Sequence, residues 1–315
     1  MFKLRLTLNF AGVFAVCLAF AAVAQAQAAQ KFVSARNGND SGSCTINLPC
    51  RTFAAAMLQV PPRGEIIALD SGDYGAVTVT RAVTIVGPVG GYAEIRVGGG
   101  SAVTIEAGSP DIVVLRGLTI NGSGLRGPLL IPEAPGILFR TGEALHIENC
   151  VINGFFGGGI SFDTAGQLFI KDTTVRNCTR AGISIGASAG ATTVSIDRCR
   201  LEKNERGIAA SSVTFGNLRM TIRDSVAAGN AEDGFSASSF AEMNLENCAA
   251  TGNRFGVSSI GGIVGSPTVR VSNSTITGNN FGLRVIQSGS LLSRVNNTVE
   301  GNTDNGSFTG TFAAK

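Results

Sequence analysis

Tryptophan is absent, histidine occurs once and tyrosine twice among 315 residues. Sugar-binding clefts commonly stack aromatic rings on sugars, so the missing Trp weighs against a cleft of that build. Charge is also scarce, at 15% of residues, with a formal net charge of +3. Two of the cations, Lys3 and Arg5, belong to an N-terminal leader, and the rest of the chain then carries 23 basic and 22 acidic residues. Such a balance offers no surface for nucleic acid, and no nucleic-acid partner is expected. No phosphate-binding glycine loop, serine-nucleophile elbow or zinc-spaced cluster appears either.

What the chain does have begins with that leader. Lys3 and Arg5 precede an apolar core and then Ala24-Gln25-Ala26, with Ala26-Gln27-Ala28 as a second small-x-small site. This pattern predicts a secretory signal peptide over residues 1–26, and hence a periplasmic or extracellular protein. Beyond it no apolar run is long enough to span a bilayer, so no membrane span is expected in the mature chain.

Six cysteines remain after the leader. Cys44 and Cys50 fall in the loop-like run SGSCTINLPC, and in an exported protein they are expected to form a disulfide. Residues 31–50 read as loop. The Ala-rich run 51–60 reads as a short helix stopped by Pro61 and Pro62.

From residue 145 a pattern recurs. LHIENCVINGFFGGGI returns as LFIKDTTVRNCTRAGI, VSIDRCRLEKNERGI, MTIRDSVAAGNAEDGF, MNLENCAATGNRFGV, VRVSNSTITGNNFGL and, more weakly, SRVNNTVEGNTDNGS. A small residue marks each copy at Cys150, Thr173, Cys199, Ser225, Cys248, Ser274 and Thr298, with steps of 23 to 26. Period-two alternation repeated at this interval predicts a solenoid of stacked coils. Its first coil needs a cap, which the 51–60 helix and the disulfide loop can supply. The expected organisation is a leader over 1–26, a loop and capping helix over 27–64, and the solenoid over 65–315.

The repeats resemble those of the right-handed parallel β-helix superfamily, with its pectate-lyase-like fold. FVSARNGNDSGSCTINLPCRTFAAAM and ALDSGDYGAVTVTRAVTIVG resemble an exported bacterial subgroup within it. The resemblance covers nearly the whole mature chain. It implies an all-β fold, a right-handed parallel β-helix of roughly ten coils with a short N-terminal capping helix. It also implies a polysaccharide as the partner, while leaving the activity open, because this fold hosts unrelated functions.

Read in register, Leu145, Leu168, Val194, Met220, Met243 and Val269, with the residues two positions on, form an inward apolar column. An Asn column from Asn121 and Asn153 through Asn177, Asn204, Asn230, Asn253 and Asn279 to Asn302 reads as a structural ladder at a turn. Cys150, Cys199 and Cys248 occupy alternate coils, too far apart to bridge, and read as small interior fillers. Cys178 stands out of phase. The outward row Arg116, Glu148, Lys171, Asp197, Arg223 and Glu246 alternates in sign. Opposite charges on neighbouring strands would fix the register, and a self-neutralising row makes a poor polyanion groove.

Catalytic sets known in the superfamily are mostly missing. Ca²⁺-dependent lyase chemistry needs clustered acids and a base, and the nearest acid pair is Asp70 with Asp73; no cofactor is implied. Asn302-Thr303-Asp304 resembles one polygalacturonase motif, but the paired Asp and Gly-His-Gly motifs are absent. His146 is the single catalytic candidate. It follows the oversized, proline-rich insertion 122–136, so Arg126, Glu133, Arg140 and Glu143 are the candidate substrate-binding residues. The expectation is a non-catalytic polysaccharide-binding or structural module of the cell envelope. The rival is a polysaccharide lyase, hydrolase or epimerase with an atypical site near residues 122–148.

Overall fold

The computed structural model describes residues 28–122, 134–187, 190–213, 218–263 and 265–313. The stretch 1–26 expected to be a leader, most of the insertion and the candidates Arg126 and Glu133 lie outside the described residues. Within them the chain winds as a parallel β-solenoid. Three sheets of 12, 10 and 9 strands run its length, and every pairing between strands is parallel. They are named here S1, S2 and S3 in the order the chain visits them within a coil. S1 runs from Gln30–Val33 to Gly310–Thr311, S2 from Gly72–Asp73 to Thr298–Val299, and S3 from Val77–Val79 to Phe281–Ile286. Among the described residues no helix is long and apolar enough to cross a membrane.

The expected apolar column is the core. Leu145, Leu168, Val194, Met220, Met243 and Val269 lie in register along S1, and all are buried. Ile147, Ile170, Ile196, Ile222, Leu245 and Val271 line the same interior two residues on. Strands stacked about 4.8 Å apart bring like side chains into contact from coil to coil.

The start of the solenoid is sealed by α1, Phe53–Gln59. Thr52 caps it, its Oγ1 accepting from the Ala55 N–H at 3.1 Å. Asp40 holds the approach by accepting from the Arg51 and Thr52 N–H groups. Phe53, Ala56 and Met57 are buried, and the Phe53 ring stacks on Tyr74 at 4.9 Å. Cys44 and Cys50 form the disulfide. The stretch read as loop is only partly one. Gln30–Val33 pairs with Gly64–Ala68 as the first strand of S1, with Val33 buried opposite Ala68.

The turns correct the asparagine column. Between S1 and S2 a single left-handed residue makes the corner, occupied by Asn149, Asp172, Arg198, Asp224, Asn247 and Asn273, all with φ between 47° and 53°. Asn and Asp tolerate this conformation better than most residues. The small residue follows, and its backbone N–H is satisfied by the next coil. Cys150 donates to Thr173 Oγ1, Cys199 to Ser225 Oγ and Cys248 to Ser274 Oγ. Ser274 donates to Asn297 Oδ1, so the column ends at Asn297 and not at Thr298. The steps then take only two values, 23 and 26.

After S2 the supposed column splits three ways. Asn121 and Asn153 are strand residues in register. Asn177 is itself a left-handed corner, at φ 56°. Asn204, Asn230, Asn253 and Asn279 are 2–3% exposed and form an interior ladder. Each side-chain oxygen accepts the backbone N–H of the coil before, at 2.9–3.1 Å. Each Nδ2 donates to a strand carbonyl, Val175, Leu201, Ala227 and Ala250 in turn. Cys178 is the head of this ladder, donating to Asn204 Oδ1, so it is in phase with the buried amides and not a stray.

From the core position of S1 to the first residue of S2 the chain takes six steps in each of the coils that start at Leu145, Leu168, Val194, Met220, Met243 and Val269, as in Leu168 to Thr174 and Met220 to Val226, and seven in the last, from Leu291 to Thr298. From S3 back to S1 it takes eight in some coils and eleven or twelve in others, as in Phe235 to Met243, Ile183 to Val194 and Ile208 to Met220. All the three-residue variation enters there or nearby.

Candidate functional site

His146 lies on the S1 strand Ala144–Glu148 and faces outward, half-buried. Its ring stacks on Phe169 of the next coil, with centroids 4.5 Å apart and planes at 19°. Burial lowers its pKa from the ordinary value, against a smaller upward pull from Glu148, so the imidazole is neutral at pH 7. A groove of about 310 Å³ begins here and continues over Phe169, Lys171, Ser195, Asp197 and Arg223. Arg140 and Glu143 do not line it. Arg140 sits on the S3 strand Ile137–Thr141, 3.5 Å from Glu106. Glu143 precedes the His146 strand and accepts from Gln167 Nε2 at 3.3 Å.

The alternating charge row stands in register as read: Arg116, Glu148, Lys171, Asp197, Arg223 and Glu246 follow one another across S1. Its ends close into ion pairs, Arg116 to Glu148 at 2.8 Å and Arg223 to Glu246 at 3.3 Å. Its middle does not. Asp197 turns instead to Arg198 at the corner beside it, at 2.6 Å. Lys171, between two carboxylates engaged elsewhere, makes no ion pair among the described residues.

Asp70 and Asp73 are occupied by the cap. The Asp70 carboxylate accepts from the Ser34 and Tyr74 hydroxyls and from the Ala35 and Arg36 N–H groups. Burial pushes its pKa up, but these four donors together hold it below the usual value. Asp73 Oδ1 accepts from the Gly75 and Arg96 N–H groups. Both are loop-ordering carboxylates.

A second concavity, which the sequence reading missed, lies on the outer face of S3. It measures about 360 Å³. Its floor is a register column of small residues, Ser184, Ala209 and Ser236, flanked by Gly186, Ser211 and Ser238. Ser236 and Ser238 donate to the Ile208 and Ala210 carbonyls of the previous coil. Ser258 continues the column and Arg284 ends it. The Arg284 side chain folds back over Ser258 and reaches Asp233, two strands away, at 2.7 Å. Asp233 is 1% exposed and also holds Arg206 at 3.4 Å and the Ser258 hydroxyl at 2.5 Å. The Arg284 guanidinium lies 3.6 Å from the centre of the Phe255 ring. Glu232, also on the rim, pairs with Arg254 at 2.8 Å, and Asp163 at the far end accepts from Ser161.

These residues come from six strands, so no contiguous motif announces them. The signal was present as a column: the position just after Gly-apolar in successive repeats holds Ser161, Ser184, Ala209, Ser236 and Ser258, and then a single Arg.

Residues 94–215 and 135–304 match the family described as the right handed beta helix region. Among solved structures the chain is similar to pectate lyase Pel9A, with 15% identity, a TM-score of 0.52, and 92% of this chain and 79% of that one covered. It is similar also to XylC in complex with xylose, with 10% identity, a TM-score of 0.52, and coverage of 84% and 68%. No curated protein matches by sequence. Likeness at these identities concerns the fold, and the side chains above carry whatever chemistry there is.

Proposed function

The chain belongs to the right-handed β-helix family, and from that membership we propose that it is an exported saccharide-binding module whose site is the hydroxyl-floored trough of S3. The observation that carries this reading is the state of Asp233. A carboxylate buried in a groove is a ready acid or base when it is free. Here two guanidiniums and a serine hydroxyl hold it. In this reading its oxygens are committed to the protein and it supports the shape of the trough. The other rim carboxylate of that end, Glu232, is paired with Arg254.

The trough is thus lined by hydroxyls and internally balanced charge, which suits a neutral, polyhydroxylated ligand better than a polyanion. A neighbour of the same fold was solved with xylose, which favours the saccharide class. Export fits the disulfide, which persists in oxidising compartments, and residues 1–26 are the cleavable leader in this reading.

The test is a titration of the mature protein with neutral xylo- and gluco-oligosaccharides beside oligogalacturonate, followed by calorimetry. Neutral oligomers should bind and oligogalacturonate should not. Ser184→Phe, which fills the floor from an outward position, should abolish binding without unfolding the protein. Release of unsaturated or reducing ends by the wild type, lost in His146→Ala, would replace this reading with a catalytic one.

A further inference from the structure

The groove on S1 has a different chemistry from the trough, and it stands on different residues. His146 and Phe169 are stacked at 4.5 Å, close to the distance between neighbouring strands. The axis of the ring stack therefore runs from strand to strand, along the solenoid. In register, the position after Phe169 is Ser195, and the one after that is Thr221. A ring column is interrupted by one small residue, and the second face of Phe169 looks into the gap above Ser195. The groove of about 310 Å³ that begins at His146 and Glu148 takes in that gap and reaches Arg223.

One side of the gap is the charge row. Glu148 is held by Arg116, Asp197 by Arg198 and Arg223 by Glu246. Lys171, beside Phe169 on the same outward face, is the lining cation left without an ion pair among the described residues. A notch of one ring's thickness thus presents an aromatic face on one wall and an uncommitted ammonium at its edge. An ammonium beside an apolar wall is satisfied best by an anion that brings its own apolar body.

We propose that the notch over Ser195 is a binding site for a planar aromatic carboxylate, whose ring stacks on Phe169 and whose carboxylate pairs with Lys171. The ligand ring continues the His146–Phe169 column by one layer. Offset stacking between aromatic rings favours a flat ring over a puckered one, and Lys171 favours an anion over its amide. No saccharide at the S3 trough is required, and each site stands or falls alone.

The probe is benzoate, with benzamide and cyclohexanecarboxylate as controls, titrated into the mature protein and followed by the Phe169 and His146 ring resonances. Benzoate should move the Phe169 resonances upfield and saturate. Benzamide should bind at least tenfold more weakly, and cyclohexanecarboxylate should produce no ring-current shift. Ser195→Phe should abolish the response, Phe169→Leu should remove most of it, and Lys171→Gln should cost about tenfold in affinity. Thermal melts of the three variants report whether each is folded. Because Ser195 and Lys171 face outward, their melts should match the wild type. The proposal is overturned if benzoate moves no resonance of the notch, if Lys171→Gln in folded protein binds as well as wild type, or if a neutral saccharide gives the same shifts.

Discussion

The Cys178 backbone N–H donates to Asn204 Oδ1 at 3.1 Å, which puts a thiol and an amide one above the other in a single interior column. Below Cys178 the column turns apolar. Above it, four buried amides pass hydrogen bonds from coil to coil. The coil carrying Cys178 is where the solenoid changes from one way of satisfying its corner to another.

The interior ladder predicts a large difference between asparagines that look alike in sequence. Asn253 Oδ1 accepts from both the N–H and Nδ2 of Asn230, and its Nδ2 reaches the Ala227 carbonyl and Asn279 Oδ1. Asn253→Ala strands several buried polar groups and should cost about 3 kcal/mol. Asn153→Ala, on the strand column between Asn121 and Asn177, should cost roughly 1 kcal/mol. Urea melts of the two variants measure both, and equal losses would refute the division of the column.

The four buried thiols predict an alkaline loss of stability. Burial raises the pKa values of Cys150, Cys178 and Cys248 from 9.0 to about 11, and that of Cys199 to about 12. A pKa raised on folding stabilises the native state fully below the unfolded value. That contribution is lost as pH climbs from 9 through the folded value. Stability should fall between pH 9 and about 12, and Cys199→Ala should flatten that fall relative to wild type. In native protein at pH 8, a thiol reagent should leave all four unmodified until denaturant is added.

The Asp233 cluster predicts an asymmetric double-mutant cycle. Arg284→Met removes the closer of two cations from a carboxylate that is 1% exposed, and should destabilise by roughly 3 kcal/mol. Adding Asp233→Asn to that variant should restore part of the loss, since the uncompensated charge is gone. A double variant no better than the single would show that packing against Phe255, and not charge, is what Arg284 contributes.

The disulfide closes a short loop in front of α1. Replacing Cys44 and Cys50 together by Ala should cost about 2 kcal/mol, the loop entropy of so small a ring. Amide exchange should show the loss concentrated in residues 30–60 and not along the solenoid.

Much of the solenoid was legible because repetition is visible without knowing where anything points. The alternation of Leu145 and Ile147 recurs coil after coil, and period two leaves one inward face. The Asn column was misread because its members sit three, four or five positions after the small residue. Those offsets correspond to a strand, a corner and an interior site, and the letter is the same in all three. The charge row was right in register and incomplete in contact. Sequence places Lys171 beside Asp197, but Arg198, one residue along a left-handed corner, bonds Asp197 and makes two hydrogen bonds to Asp172. A planar guanidinium holds carboxylates that a flexible ammonium does not. The trough was hidden because its signal is the smallness of residues at one position, which carries no chemistry until Arg284 is seen to end the column.

The six-residue step from S1 to S2 holds through the six coils that start at Leu145 to Val269, while the return from S3 to S1 takes eight residues in some of them and eleven or twelve in others. The single left-handed corner is a datum from which each turn is measured, and length differences accumulate on the opposite edge. That edge borders the trough. Peptides of new length spliced there would reshape one wall of the site while every amide of the ladder kept its partner, so ligand preference in this scaffold can be rewritten without renegotiating the fold.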